Sequence, residues 1–181
     1  VVLETRIENL WILPAEKNLA GAEVELVNES AREFRLKTVL APIVDEYDFI
    51  FIDAPPSLSL LTVNGLAAAE SVLIPLQCEY FALEGLSELL QTIILVRDNL
   101  NKNLHLQGVL LTMYQRTNLS KQVMDDVRSH LGNKVFDTVI PRNVTLGEAP
   151  SFGMPIIEYD RACVGALAYD KLAAEVIERN R

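Results

Sequence analysis

Five short apolar runs recur along this chain, and stretches with helical spacing separate them. They are Asn9 to Pro14, Asp48 to Asp53, Ser71 to Leu76, His105 to Met113 and Lys134 to Ile140. A near-continuous apolar run is what a strand shows when both faces of a parallel sheet are covered. Strands alternating with helices imply an α/β fold, a mostly parallel sheet with helices on both faces. The clearest strand is Asp48 to Asp53 (D-F-I-F-I-D), and Pro55 and Pro56 must leave it, because proline cannot continue a central strand. In such sheets, ligands sit beyond the C-terminal strand ends. Attention therefore falls on Asp53 to Pro56, Pro75 to Gln77, Thr112 to Asn118 and Pro141 to Asn143.

The intervening segments supply the helices. Leu19, Ala22, Val24, Leu26 and Val27 suit one helix, and Phe34, Leu36, Val39, Leu40, Ile43 and Val44 suit a second, with a break at residues 28–30. Further helices are expected over Leu58 to Ala69, Leu83 to Asn99, a segment capped by Asn118 or Ser120 and ended by Gly132, and Arg161 to Arg179. Asn143 to Pro155 reads as a loop or short helix. No linker divides the chain, so residues 1–181 are expected to form one α/β domain.

Half of the 181 residues are apolar and 23% are charged, which excludes a disordered tail. The net charge of −9 repels phosphate, so nucleic-acid binding would need a local basic patch. Residues 112–142 form one mildly basic segment, which on charge alone fits such a patch or a solvated helix face equally. Arg116, Lys121, Arg128, Lys134 and Arg142 outweigh Asp125, Asp126 and Asp137, a net of +2 against −11 elsewhere. Cys78 and Cys163 lie far apart and suit buried thiols rather than a disulfide. Two histidines, His105 and His130, with no H-E-x-x-H, argue against a zinc enzyme. No apolar run reaches membrane-spanning length and no signal-type start is present, so a cytoplasmic location is expected. Trp11 and Cys163 read as packing residues. The chain opens on Val1, which implies processing or a longer parent.

Phe49-Ile50-Phe51-Ile52-Asp53 has the form of a Walker B strand, in which a rigid strand aims one carboxylate at Mg²⁺. On its own this pattern also fits a strand ending in a helix-capping aspartate. Its neighbours extend it. Asp53-Ala54-Pro55-Pro56-Ser57-Leu58, the run Ile74 to Gly85, Leu111 to Ser120, Ile140-Pro141-Arg142-Asn143-Val144, and Glu148-Ala149-Pro150-Ser151 with Gly153 and Pro155 resemble, in order, the ParA/Soj partition ATPases. These belong to the deviant-Walker P-loop family. The resemblance covers nearly the whole chain and fits the Soj-type branch better than the MinD branch.

The resemblance implies a P-loop NTPase (SIMIBI-like) fold and an ATP-dependent, DNA-segregating dimer. It implies ATP and Mg²⁺ as cofactors, a ParB-type partner that stimulates hydrolysis, and sequence-independent DNA binding at the nucleoid through phosphate contacts. Asp53 would organise Mg²⁺ through water. Pro55 and Pro56 would stiffen the turn on the γ-phosphate side. Arg116, Thr117 and Asn118, with Pro141, Arg142 and Asn143, would border adenine and ribose. Arg116 is also the matched DNA-binding candidate. Thr145 departs from the family's usual basic residue, which implies weaker DNA binding.

The family's K-G-G-V-G-K-T-T loop is absent, for no glycine here precedes a lysine. That loop supplies the N–H cradle and the lysines that neutralise phosphate. The chain is therefore expected to begin after the P-loop unit, to be inactive alone as an ATPase, and to expose an apolar sheet edge. The alternative reading is a non-hydrolysing module that binds a partner or a second copy. A membrane regulator would need a basic amphipathic C-terminal helix, and residues 173–181 are mixed in charge. A hydrolase elbow and paired cluster-binding cysteines are both missing.

Overall fold

Three of the five apolar runs pair into one sheet. In the computed structural model, which describes residues 1–55 and 59–181, β3 (Ser71–Gln77), β4 (His105–Tyr114) and β5 (Val135–Pro141) form a parallel sheet in the order β3-β4-β5. Helix α4 (Ala82–Asn99) connects β3 to β4, and α5 (Asn118–Leu131) connects β4 to β5. Parallel pairing puts all three C-terminal strand ends on one edge of the sheet. The chain divides into two compact units, Val1–Ala68 and Ala69–Arg181, and the sheet lies in the second.

The core of the second unit forms where the last helix meets the last strand. Leu110, Phe136 and Ile140 from the strands bury against Ala168, Leu172 and Val176 of α8 (Val164–Arg179). Those three helix positions lie four residues apart, so they form one stripe. Leu146 of α6 (Val144–Glu148) packs on the same cluster. Gly165 is needed beside it, because a Cβ there would sit 2.5 Å from the Leu146 Cγ. A 3₁₀ turn at Ala149–Phe152 and α7 (Ile156–Tyr159) lead from α6 toward α8.

The β4–β5 ladder is interrupted twice. Val109 faces Val135, Leu111 faces Val139 and Tyr114 faces Pro141. Two extra residues therefore bulge from β5 between the first two pairs, and one extra residue bulges from β4 between the last two. The β4 bulge contains Met113, which takes a left-handed φ of 54°. Such backbone is costly for a side chain larger than glycine, so the surrounding packing must hold it. Gly108 enables the first bulge: a Cβ would stand 2.7 Å from the Phe136 ring and 3.0 Å from the Lys134 carbonyl.

The first unit is built differently. β1 (Leu3–Glu4) and β2 (Trp11–Ile12) form an antiparallel hairpin two residues deep. Asn9 supplies the left-handed corner with φ 61°, a conformation asparagine tolerates. The expected first helix is a 3₁₀ turn at Lys17–Gly21 followed by α1 (Ala22–Glu25). The expected second is α2 (Arg35–Leu40), flanked by 3₁₀ turns. α3 (Leu60–Ala68) carries all the unit's buried residues among those described. Asn64 is the polar anchor: its Nδ2 donates to the Arg32 and Leu60 carbonyls at 2.9 Å, and its Oδ1 accepts from the Leu36 N–H at 3.1 Å.

Two sequence expectations change here. Asn9 to Pro14 is not a buried parallel strand; its paired residues, Trp11 and Ile12, are exposed, and Trp11 meets Tyr47 edge-on at 5.4 Å. Asp48 to Asp53 enters no ladder among the described residues, and Phe51 is 76% exposed. The cause is the same in both cases. An apolar run becomes a sheet strand only when neighbours take its N–H and C=O groups, and the described residues offer none at 48–53.

Candidate functional site

The sheet edge that the sequence marked as the ligand side is assembled by backbone hydrogen bonds. The Cys78 N–H donates to the Thr112 carbonyl at 3.1 Å, joining the ends of β3 and β4. The Arg142 N–H donates to the Tyr114 carbonyl at 2.9 Å, joining the ends of β4 and β5. The Ser120 hydroxyl donates to the Cys78 carbonyl at 3.3 Å, tying the start of α5 to the end of β3. Residues 116–118 and 141–143 leave these paired strand ends together, as expected from their place after β4 and β5.

Two helices begin at this edge. Thr117, not Asn118 or Ser120, is the α5 cap: its Oγ1 accepts the Ser120 N–H at 3.2 Å, and Asn118 is the first helical residue. Thr117 holds the extended backbone that a cap needs, and the three-residue spacing to Ser120 matches the orphan N–H it serves. Asn143 caps α6 by accepting the Leu146 N–H at 3.1 Å. That bond commits its Oδ1 to the protein, leaving its amide for other partners. Helix N-termini present N–H groups and a partial positive charge, which suits an anionic ligand.

Of the other expected site residues that are described, Pro141 is half-buried and the rest are exposed. Arg116 and Arg142 stand on the sheet edge, and both are exposed. The basic segment does not form one patch, because Lys134 and Arg142 lie at opposite ends of β5. Lys134 donates to the Leu106 carbonyl at 3.2 Å, and Arg128 to the Asp137 carbonyl at 3.5 Å. Asp53 and Pro55 lie in the first unit and are exposed; the Pro55 carbonyl accepts from the Thr62 hydroxyl at 3.4 Å. Pro56 lies outside the described residues.

The cysteines separate in role. Cys78 is buried, and burial pushes its thiol pKa up, against a smaller opposing pull from the Arg128 charge. It is a core thiol rather than a nucleophile. Cys163 is half-buried and precedes α8 rather than lying within it; its Sγ accepts the Ala166 N–H at 3.3 Å, so it caps the helix. Among the described residues no group of three or more His, Cys, Asp or Glu could hold a metal, and no helix is long and apolar enough to cross a membrane.

Sequence reasoning missed Met113 and the Glu175–Arg179 pair. Methionine carries no signal for a left-handed backbone. An i, i+4 glutamate–arginine spacing is common on solvated helix faces and carries no signal of burial. In the fold Glu175 and Arg179 are largely buried, with 15% and 22% of their side-chain surface exposed.

Parallel strands whose ends gather loops and helix starts on one edge define an α/β protein built on a parallel sheet. A family model described as an AAA domain matches residues 1–106. The chain is 55% identical over 99% of its length to a chromosome-partitioning ATPase Soj of Treponema pallidum, and spans 72% of that protein. It is 54% identical over 97% of its length to a chromosome partitioning protein ParA of Myxococcus xanthus, and spans 62% of it. A solved structure titled cobyrinic acid a,c-diamide synthase from Mycobacterium smegmatis, with bound ATP analog and magnesium, superposes with a TM-score of 0.85 at 36% identity, covering 99% of this chain and 67% of that one. The chain belongs to the ParA/Soj family of chromosome-partitioning ATPases.

Proposed function

We propose that this chain works as part of an ATP-dependent partition switch, in which ATP and Mg²⁺ join two subunits into a dimer that binds DNA. A ParB-type partner would stimulate hydrolysis and release the DNA. The observation that carries this reading is the match along nearly the whole of this chain to partition proteins at 54–55% identity, together with the gathering of residues 116–118 and 141–143 on one sheet edge. Residues 1–181 would then belong to one α/β domain, the C-terminal portion of such an ATPase, at work in the cytoplasm on the nucleoid.

In this reading, Asp53 would serve the metal side of a nucleotide, and the loops after β4 and β5 would serve its base side. Asp53 offers an exposed carboxylate, a hard oxygen ligand suited to Mg²⁺ and its water shell. Thr117 to Asn118 and Pro141 to Asn143 offer backbone groups and an asparagine amide suited to adenine and ribose. Pro55 and Pro56 would limit the freedom of the turn after Asp53. Bound ATP-Mg²⁺ supplies the γ-phosphoryl group for in-line attack by water, a reaction governed by positioning and charge neutralisation. This chain's residues would orient the base and hold the metal's water. No Gly-Lys pair exists here to cradle the phosphates. Arg116, exposed at the same edge, would meet DNA phosphate.

The test is ATP-Mg²⁺ binding by calorimetry, on this chain and on the chain joined to a family-type P-loop unit. Binding is expected for the joined protein and not for the chain alone. No binding by the joined protein would sink the nucleotide reading. Binding by the chain alone would show that other residues here cradle the phosphates.

A further inference from the structure

We propose that Glu175 and Arg179, in the last turns of α8, are positioning residues for the turn Pro141-Arg142-Asn143, because they hold the bulge that sets where β5 ends. The proposal rests on the reading of that turn as part of the nucleotide edge.

Ladder register carries the argument. An uninterrupted ladder continuing from Val109 opposite Val135 would bring Pro141 opposite Gln115. The observed partner is Tyr114. A one-residue slip exchanges the two faces of a strand, so the interruptions decide which groups of residues 141–143 meet the end of β4. The bulge at 136–138 is the larger of the two, and it takes two consecutive backbone N–H groups out of the ladder. Asp137 is exposed but Thr138 is half-buried, so the Thr138 N–H would be costly if left unpaired.

Glu175 serves both. Its Oε1 accepts the Asp137 N–H at 2.8 Å, and its Oε2 accepts the Thr138 N–H at 2.9 Å. A carboxylate biting two adjacent N–H groups is a charge-assisted pair with fixed geometry. Arg179 locks the carboxylate from the next turn at 2.7 Å. It also donates to the Val135 carbonyl at 2.8 Å, and to the Asn133 and Gln107 carbonyls at 3.3 and 3.4 Å. Its guanidinium lies 4.1 Å from the centre of the Phe136 ring, and that ring occupies the space left by Gly108. One ion pair thus holds both sides of the bulge, and the chain leaving it reaches Arg142, whose N–H closes on Tyr114. An ordinary surface pair would do none of this.

Amide hydrogen exchange on the whole chain tests the proposal. Glu175→Gln keeps the side chain's size but removes its charge and one acceptor. Exchange at Asp137 and Thr138 is expected to rise about tenfold or more, with Arg142 rising alongside them, while Ile74 in β3 and a Glu178→Gln control stay unchanged. Faster exchange at Asp137 and Thr138 with Arg142 unmoved would overturn the proposal. If Ile74 also accelerates equally, Arg179→Lys decides, since it keeps the charge and loses the planar fork. Arg142 rising there with Asp137 and Thr138, and Ile74 not, supports the proposal; uniform acceleration in both variants overturns it. In the chain joined to a P-loop unit, Glu175→Gln should also weaken Mg-ADP binding several-fold, and full affinity there would count against the proposal. Failure of the parent joined protein to bind Mg-ADP would remove the nucleotide reading and leave the exchange result standing.

Discussion

Residues 69–181 and residues 1–68 carry the same kind of apolar run, yet only the first group turns such runs into a core. In the second unit Phe136 is fully buried, with Val109, Leu111, Val123 and Val127 also closed off from water. In the first unit Phe49, Ile50 and Phe51 are exposed, as are Trp11, Ile12 and Leu13. Composition cannot explain the contrast, because D-F-I-F-I-D has four apolar residues in six and V-F-D-T-V-I-P has four in seven. Partnership explains it: β5 has β4 beside it and α8 packed on it, and 48–53 has no ladder neighbour among the described residues.

The largest effect that could break this comparison comes from paired aromatic truncations. Phe136→Ala should cost about 3–5 kcal/mol, the transfer energy of the ring plus the cavity it leaves. Phe51→Ala should stay within about 0.5 kcal/mol, as for other exposed positions. Urea unfolding monitored by amide exchange measures the first. The single tryptophan, Trp11, reports on the first unit by fluorescence and measures the second. Equal costs would show that 48–53 is as tightly held as β5.

Glycines sharpen the same contrast at smaller scale. Gly108→Ala should destabilise by about 1–3 kcal/mol, because the new methyl meets the Phe136 ring and a carbonyl that cannot move aside cheaply. Gly65→Ala in α3 meets only the Ile52 Cγ2 at 3.5 Å, an ordinary contact. It should be neutral or stabilise by up to about 1 kcal/mol through helix propensity. Thermal midpoints of the two variants against the parent settle the sign of each.

What was legible in the sequence follows the same line. The strands at 71–76, 105–113 and 134–140, the helices at 83–99 and 161–179, and Gly132 as a stop were all readable, because local pattern and tertiary packing agree there. The loops at 116–118 and 141–143 were readable for the same reason, since parallel strands must end together. Asp48 to Asp53 misled because a strand pattern states a capacity, and pairing depends on chain elsewhere. Thr117 was passed over for its neighbours since caps are set within one residue by backbone angles. The bulges were barely legible: Gly108 inside a strand run is the one signal for the first, while Met113 is an ordinary strand residue and Phe136 to Thr138 look regular.

Met113 offers the next test. Met113→Gly removes a side chain from left-handed backbone where the cost of that conformation is about 1–2 kcal/mol, while the lost side chain is 42% exposed. A gain of about 0.5–1 kcal/mol is expected, and Met113→Val should lose stability instead, because a β-branched residue fits that backbone worst. Ala31→Gly in the first unit, at φ 52°, should gain a comparable amount. A gain at Ala31 and a loss at Met113 would mean that the β4 bulge relies on the methionine's own contacts more than on its backbone.

The last effect is electrostatic and again differs between the units. Burial raises the Glu175 pKa, but the N–H groups of Thr138 and Asp137 and the Arg179 guanidinium outweigh it and hold the group below the ordinary glutamate value. A lowered folded-state pKa means that the unfolded chain binds the proton more readily. The stabilisation is therefore complete above the ordinary glutamate range and is lost as pH falls through that range to the lowered value. Glu33 in the first unit is also lowered, by a backbone hydrogen bond first and by Arg32 second. Its ion pair with a sequence neighbour lies near the surface, so its share of stability should be small. The urea midpoint of the parent should therefore converge on that of Glu175→Gln as pH drops from neutral to acid, whereas Glu33→Gln should track the parent at every pH. A gap between parent and Glu175→Gln that stays constant with pH would show that the carboxylate's geometry, rather than its charge, holds the bulge.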